Sequence, residues 1–452
     1  MEKHYHLIGI GGIGMSGIAK LLLRSGAKVS GSDLKESKIT QGLKGLGSEV
    51  FIGHNLTNIE GASVIIYSSA IREDNPEMIE ARRRGVPLLK RAQALAQLME
   101  NKTVITITGS HGKTTTASLV SCLLSQAGLL PSVAVGGILR NIDTNSYLGN
   151  GDFFVAEADE SDGSFLYYRP TYSIITNIDR EHLDYYQEFE KELSAFREFL
   201  NRTEERGCVF GCADDVNLKK ILSDYKNRYI LFGLKSSAGV YPKNIKLSGL
   251  SSEFDCFYKN KFVGTFHLSL GGEHNISNAL SVIALGIELG IDLEFIKETL
   301  AQYKGVKRRL EIKFVNAQYL VMDDYAHHPT EIKATLAALE CLKFNRVIAI
   351  FQPHRYTRTK LLLDEFGRCF NSADYVIITD IYAASEEPIE GITGERVYDK
   401  IKEYAPDKEA IFLPKVEIIP HILKIIRPHD LIITLGAGDI VKISDELSAK
   451  LG

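Results

Sequence analysis

Tryptophan is missing from the 452-residue sequence, and that absence decides nothing. Other shortages decide more. No apolar run is long enough to span a bilayer, so no membrane partner is expected. The start, Met1-Glu-Lys-His-Tyr-His, runs straight into a short apolar strand and lacks the pattern of a secretory signal, so a cytoplasmic location is expected. There is no basic block and the net charge is −4, which argues against nucleic acid as a partner. Cysteine is sparse. Of the six, only Cys208 and Cys212 are close, and no second pair matches them. A zinc site and a disulfide framework are therefore not expected, and reduced thiols are.

What is present is the composition of a globular protein, 44% hydrophobic and 24% charged. The length exceeds what one core can serve, so roughly two to four domains are expected.

The most informative stretch is Thr103-Val-Ile-Thr-Ile-Thr-Gly109-Ser110-His111-Gly112-Lys113-Thr114-Thr115-Thr116. A β-branched run predicts a strand. Two glycines then bracket Ser110 and His111, and an apolar segment with helical spacing runs from Ala117 to Ala127. Strand, glycine turn and helix start form a phosphate cradle, because backbone N–H groups can approach the anion and the helix N-terminus attracts it. Lys113 adds a full charge, and the Thr114 hydroxyl suits Mg²⁺. The usual G-x-x-x-x-G-K-[ST] spacing wants glycine at 107, where this chain has Ile107, so the loop is a shorter variant.

A second glycine pattern opens the chain. Gly9, Gly11 and Gly14 form G-x-G-x-x-G between an apolar strand and a helix ending near Arg24. Asp33 follows a second strand at about the spacing of a ribose-binding acid. The glycines report a diphosphate on a helix N-terminus. NAD and a UDP-sugar suit them equally. A later strand ends in Ser68-Ser69, small polar residues at an edge where such sheets bind ligands.

Phe153-Phe-Val-Ala-Glu157 runs into Asp159, Glu160 and Asp162. The strand-end acid Glu157 is the expected metal ligand. Tyr172-Ser-Ile-Ile-Thr176 delivers His182 among further acids, as a metal or phosphate contact or a structural histidine. Gly136-Gly137 is expected to begin an Asn- and Asp-rich loop, and residues 190 to 270 read as scaffolding. His274, Asn275 and Asn278 stand at a helix start, where they either cap it or face an adenine edge. A basic linker follows, with Arg308 and Arg309. Four later strands deliver polar residues to one sheet edge: Asp324, Tyr325 and His327; His354, Arg355 and Arg358; Asp380; and Gly436 to Asp439.

These residues resemble the Mur ligase family across nearly the whole chain. The resemblance rests on His111 before Gly112-Lys113-Thr114, on Glu157-Ala-Asp-Glu-Ser-Asp, on Gly272-Glu-His-Asn, on Asp323-Asp-Tyr-Ala-His-His-Pro-Thr-Glu and on Gln352-Pro-His-Arg-Tyr-Thr-Arg. It implies an α/β fold of three domains: a Rossmann-like UDP-sugar domain over 1–99, a P-loop ATPase-like domain over 100–306 and a Rossmann-like C-terminal domain over 307–452. It implies ATP and Mg²⁺ as cofactors, UDP-N-acetylmuramate and L-alanine as partners, a monomer or weak homodimer, and closure on binding. Gly11, Gly12, Ile13, Gly14, Asp33 and Ser69 would meet the UDP-sugar. Gly109 to Thr115, with His274, Asn275, Asn278, Arg309 and Asp324, would hold the nucleotide. Thr114, Glu157 and His182 would hold the metal. Tyr325, His327, His354, Arg355 and Arg358 would position alanine and the acyl phosphate, with His327 as base. A nicotinamide-dependent oxidoreductase and a nucleotide-gated binding module are the rival classes.

Overall fold

The structure, a computed structural model, describes residues 3–384 and 386–452. Among these, no helix is long and apolar enough to cross a membrane. The chain divides into two compact units, Met1–Lys243 with Asp255–Phe266 and Ser277–Lys304, and Asn244–Phe254 with His267–Ile276 and Gly305–Gly452.

Three sheets build the chain. The first has five parallel strands in the order Glu49–Ile52, Lys28–Asp33, His4–Ile8, Val64–Tyr67, Leu88–Lys90. Its helix Pro76–Arg84 shows why local sequence suffices there. The Asn75 side chain accepts from the Glu77 N–H, Pro76 occupies the first turn and Gly85 closes the helix at φ 68°.

The second sheet has ten strands. Its parallel core runs Tyr229–Phe232, Cys208–Cys212, Tyr172–Ile175, Thr103–Thr108, Phe153–Glu157, Ser132–Leu139. Thr144–Tyr147 closes one edge antiparallel to Ser132–Leu139, and three strands between Val240 and Leu268 extend the other. Gly136-Gly137, expected to open a loop, instead lies inside Ser132–Leu139, where the pairing register shifts between Ala134 and Leu139. Glycines mark such irregular strands because the backbone must bend or be approached closely. Under this sheet Phe165 stacks on Phe199 at 4.8 Å and meets Phe196 edge-on at 5.3 Å. All three rings are fully buried, which anchors the turn that follows the acid run.

The third sheet orders Glu311–Val315, Tyr319–Asp324, Asp430–Leu435, Arg346–Phe351, Tyr375–Ile378, Glu409–Phe412, all parallel except the first pair. Its strands are apolar on both faces and bury two separate clusters. That is the pattern of a sheet covered by helices on each side.

The turn that leaves Thr103–Thr108 depends on Gly109, with φ 119°. A Cβ there would overlap the Thr176 hydroxyl and lie 2.6 Å from the Asn177 carbonyl oxygen. Gly109→Ala is expected to lower unfolding free energy by more than about 1 kcal/mol. Urea denaturation followed by circular dichroism checks this, and an unshifted midpoint contradicts it.

Candidate active site

Strand Thr103–Thr108 and helix Lys113–Gln126 hold the glycine turn between them. The neighbouring strand end fixes its shape. The Ser110 N–H donates to the Asn177 carbonyl at 3.1 Å, and the His111 N–H donates to Asn177 Oδ1 at 2.9 Å. Asn177 Nδ2 returns a bond to the His111 carbonyl at 3.0 Å, and the Thr176 hydroxyl donates to that carbonyl at 2.5 Å. His111 Nε2 lies 3.1 Å from Asp179 Oδ2, while the Asp179 N–H donates to Ser110 Oγ at 2.8 Å. Asn278 packs on the turn: a Cβ on Gly112 would sit 2.7 Å from its Oδ1.

Lys113 folds back over the loop. Its Nζ donates to the Gly109 carbonyl at 2.5 Å and to Glu160 Oε1 at 2.7 Å. Glu160 is fully buried and also accepts from His182 Nε2 at 3.2 Å. Burial works against this carboxylate's charge, but Lys113 and His182 outweigh it and hold the pKa at about 2. Burial likewise opposes the charge on Lys113, and Glu160 with Asp159 overrides it, raising its pKa. The His182 backbone is left-handed, φ 57°, a conformation a non-glycine residue holds only when its surroundings impose it.

Glu157 lies in register with Ile107, so its carboxylate stands at the sheet edge from which the loop departs. Its Oε1 accepts from the Gly136 N–H at 2.8 Å. Thr114 occupies the first turn of the loop helix. Thr114, Glu157 and His182 offer a hydroxyl, a carboxylate and an imidazole, mostly hard donors of the kind a divalent cation takes. Glu160, not singled out from the sequence, is the residue that joins Lys113 to His182. The signal available was its place in the acid run, and only the fold distinguishes it from Glu157.

In the first domain Gly11 donates its N–H to Asp33 Oδ2 at 2.8 Å, and the N–H groups of Gly9 and Ile10 donate to the Ser32 carbonyl at 2.8 and 3.0 Å. The glycine loop, Ile13, Gly14 and Asp33 thus share one strand end. Ser69 is exposed in the turn after Val64–Tyr67. Beneath lies a network that the sequence did not announce. The fully buried Glu77 accepts from Ser32 Oγ at 2.5 Å and Asn58 Nδ2 at 2.6 Å.

The third sheet gathers the remaining candidates. Asp324 is buried, and its oxygens accept from the N–H groups of Leu310 at 2.7 Å and Ala326 at 2.7 Å. Burial pushes its pKa up to about 6 against the pull of Arg309. The Arg309 guanidinium lies 5.3 Å from the Tyr325 ring centre. His274 is held at about 4 by burial and then by Arg309, while Asn275 Nδ2 donates to the Gly271 carbonyl at 2.8 Å. His327 and His354 meet edge to face at 5.7 Å, His354 stacks on Tyr382, and Arg358 Nη1 lies 3.2 Å from His354 Nδ1. Burial, then Arg358, lowers both imidazoles, His354 to about 3. Both are neutral at pH 7. His327 Nδ1 lies 3.0 Å from the Tyr325 carbonyl, so it carries the hydrogen and leaves Nε2 as acceptor. Arg355 has φ 70°, a strained backbone beside this cluster.

Three family models cover most of the chain: "Mur ligase family, catalytic domain" at residues 4–103, "Mur ligase middle domain" at 107–286 and "Mur ligase, glutamate ligase domain" at 308–438. The chain belongs to the Mur ligase family. A UDP-N-acetylmuramate–L-alanine ligase from Geotalea daltonii is 45% identical over 449 residues, covering 99% of this chain and 98% of its own. The solved UDP-N-acetylmuramate–alanine ligase MurC of Thermotoga maritima is 31% identical, with TM-score 0.84 and 99% of each chain covered. A MurF ligase from Thermotoga maritima, solved in complex with ADP, is 18% identical with TM-score 0.64 over 96% of this chain and 99% of its own, a likeness of fold alone.

The Glu160 pair gives a pH prediction. A carboxyl depressed to about 2 contributes stability above its unfolded pKa, near 4.3, and loses it as pH falls through that range. Glu160→Gln is expected to cost about 3 kcal/mol at pH 7 by leaving the half-buried Lys113 without its nearest counter-charge. The gap between variant and native chain should narrow from pH 5 to pH 2. Urea titrations across that range check it, and a gap independent of pH contradicts it.

Proposed function

We propose that this Mur ligase joins L-alanine to the lactyl carboxylate of UDP-N-acetylmuramate, with cleavage of ATP to ADP and phosphate, in peptidoglycan precursor synthesis. The observation that carries this reading is the glycine turn with Lys113 at the same sheet edge as Glu157, Glu160 and His182. The 45% identity to a curated enzyme of that activity along the full chain supports the choice of substrates. The match to the Mur ligase middle domain over residues 107–286, which carry the Lys113 loop, supports a nucleotide at that loop.

A carboxylate resists attack by an amine because its oxide is a poor leaving group. Transfer of the γ-phosphoryl group to one carboxylate oxygen breaks the bond to ADP and yields an acyl phosphate, from which phosphate leaves readily. Both partners in that transfer are anionic, so the site must supply positive charge. Lys113 supplies it at the loop. The N–H groups of Ser110 and His111 are held by Asn177, so those of Gly112 to Thr115, at the start of the helix, would receive the phosphates. Thr114, Glu157 and His182 would hold Mg²⁺, which supplies charge neutralisation between the phosphates. Asn278, beside Gly112, belongs to the nucleotide's surroundings. Gly11 to Gly14, Asp33 and Ser69 receive the UDP-sugar.

In the second step the alanine amine adds to the acyl carbon, and the tetrahedral intermediate expels phosphate to leave the amide. Arg355 and Arg358 suit alanine's carboxylate through paired hydrogen bonds. Tyr325 and His354 wall this region. Neutral His327, with Nε2 open as acceptor, takes the amine proton.

A coupled assay of ADP release with UDP-N-acetylmuramate, ATP and Mg²⁺ is expected to depend on added L-alanine. Lys113→Ala should reduce the rate by at least about a hundredfold while the fold persists by circular dichroism. Turnover without alanine dependence, or near-native activity in the variant, contradicts the reading.

A further inference from the structure

We infer that Asn145 is a positioning residue that couples the UDP-sugar site to the ATP site through the edge hairpin of the central sheet; the inference rests on the function proposed above. The hairpin consists of Ser132–Leu139 and Thr144–Tyr147, with Ala134 opposite Ser146. One strand touches the ATP side. Its Gly136 N–H holds Glu157, and a Cβ on Gly136 would lie 2.8 Å from the other Glu157 oxygen. That approach is too close for any side chain to intervene.

The opposite strand grips the first domain. Asn145 Nδ2 donates to the Ile13 carbonyl at 2.8 Å, and Asn145 Oδ1 accepts from Lys20 Nζ at 3.2 Å. Ser146 Oγ donates to the Gly17 carbonyl at 3.2 Å. Asn145 and Ser146 are each 2% exposed. Ile13 and Gly17 lie in the first turns of helix Ile13–Arg24, immediately after Gly11-Gly12. A Cβ on Gly17 would come 3.2 Å from Asn145 Nδ2, a tight approach that the amide would have to yield to.

A buried amide that loses its partners is costly, so helix and hairpin are held to one another more tightly than two apolar surfaces would be. Sliding one along the other breaks the bonds to Ile13 and to Lys20 together. Any shift of the glycine loop on binding a diphosphate is therefore passed to the hairpin and to the strand that holds Glu157. The hairpin has room to respond. A partly open pocket of about 160 Å³ adjoins it, lined among others by Cys122, Leu139, Ile142 and Tyr147.

Coupling of this kind is a reciprocal free energy between two binding events. Calorimetry of a non-hydrolysable ATP analogue with Mg²⁺, in the absence and presence of saturating UDP-N-acetylmuramate, measures it. The native chain is expected to change affinity for the analogue by about fivefold or more. In Asn145→Ala the ratio is expected to fall towards one, with each ligand still bound alone. Ser146→Ala, which removes only the bond to Gly17, should give an intermediate ratio and serves as the readout if Asn145→Ala does not unfold cooperatively. A native chain that binds both ligands without mutual effect, or variants that keep the native ratio, overturns the coupling alone. A native chain that binds the analogue but not UDP-N-acetylmuramate overturns the functional reading, and the coupling with it.

Discussion

A single buried carboxylate holds the lysine of the phosphate loop in place. Glu160 has no exposed surface, yet it stays ionised because Lys113 and His182 both lie on it. The Tyr186 hydroxyl donates to its backbone carbonyl at 2.6 Å, which fixes the peptide that carries the charge. The arrangement holds only while every partner is present, since a buried ion is tolerated through its hydrogen bonds and counter-charges. The same field reaches Glu192, a fully buried neighbour, whose carboxyl burial and repulsion from Glu160 push up to about 8. Glu160 stays charged because Lys113 and His182 bond to it; Glu192 stays protonated because burial and the neighbouring carboxylates outweigh the pull of Lys113. For phosphate chemistry the consequence is direct. Lys113 is ionised and already folded over the loop, so an incoming phosphate competes for a charge that is in place rather than creating one.

How much of this was legible follows from how local each signal is. Gly109 and Gly112 announce the loop because only glycine adopts those backbone angles without strain, and that demand is written in the sequence itself. The helix Pro76–Arg84 was readable at both ends for the same reason. Glu160 was not. It lies three residues from Glu157 in one acid run, and which of the two meets Lys113 depends on the turn that Phe165 anchors against Phe196 and Phe199. Thr176 and Asn177 were equally hidden. They shape the loop only because Tyr172–Ile175 happens to pair with Thr103–Thr108, and strand order is a property of the whole sheet. Gly136-Gly137 looked like a loop opening because two glycines weaken a strand; the demand they meet, close approach to Glu157, comes from a different strand.

The first domain carries a parallel case of charge held by design of its surroundings. Glu77 has no lysine or arginine among its described hydrogen-bond partners; hydroxyl, amide and backbone N–H groups surround it, with His6 and His54 each 3.5 Å away. Burial raises its pKa, and those donors together bring it below the ordinary carboxylate value. Because Ser32 donates to Glu77 through its side chain while its carbonyl holds Gly9 and Ile10, the glycine loop rests on this buried acid two bonds away. Nothing in a G-x-G-x-x-G pattern reports such a support.

The third sheet poses the opposite problem, neutral groups kept among fixed cations. Arginine does not lose its proton in proteins, so His327 and His354 beside Arg358 carry the whole response, and burial with that field keeps them neutral. A lowered pKa makes His327 a weak base, which at first sight argues against it as acceptor of the amine proton. The objection fails on timing. A free amine attacks with its lone pair, and its proton becomes strongly acidic only after the new bond to the acyl carbon places positive charge on nitrogen. At that stage a weak base suffices. A strong one would have been protonated beforehand and unable to accept. The neighbouring arginines thus do two things at once: they offer charge to anions and keep the acceptor empty until the intermediate forms.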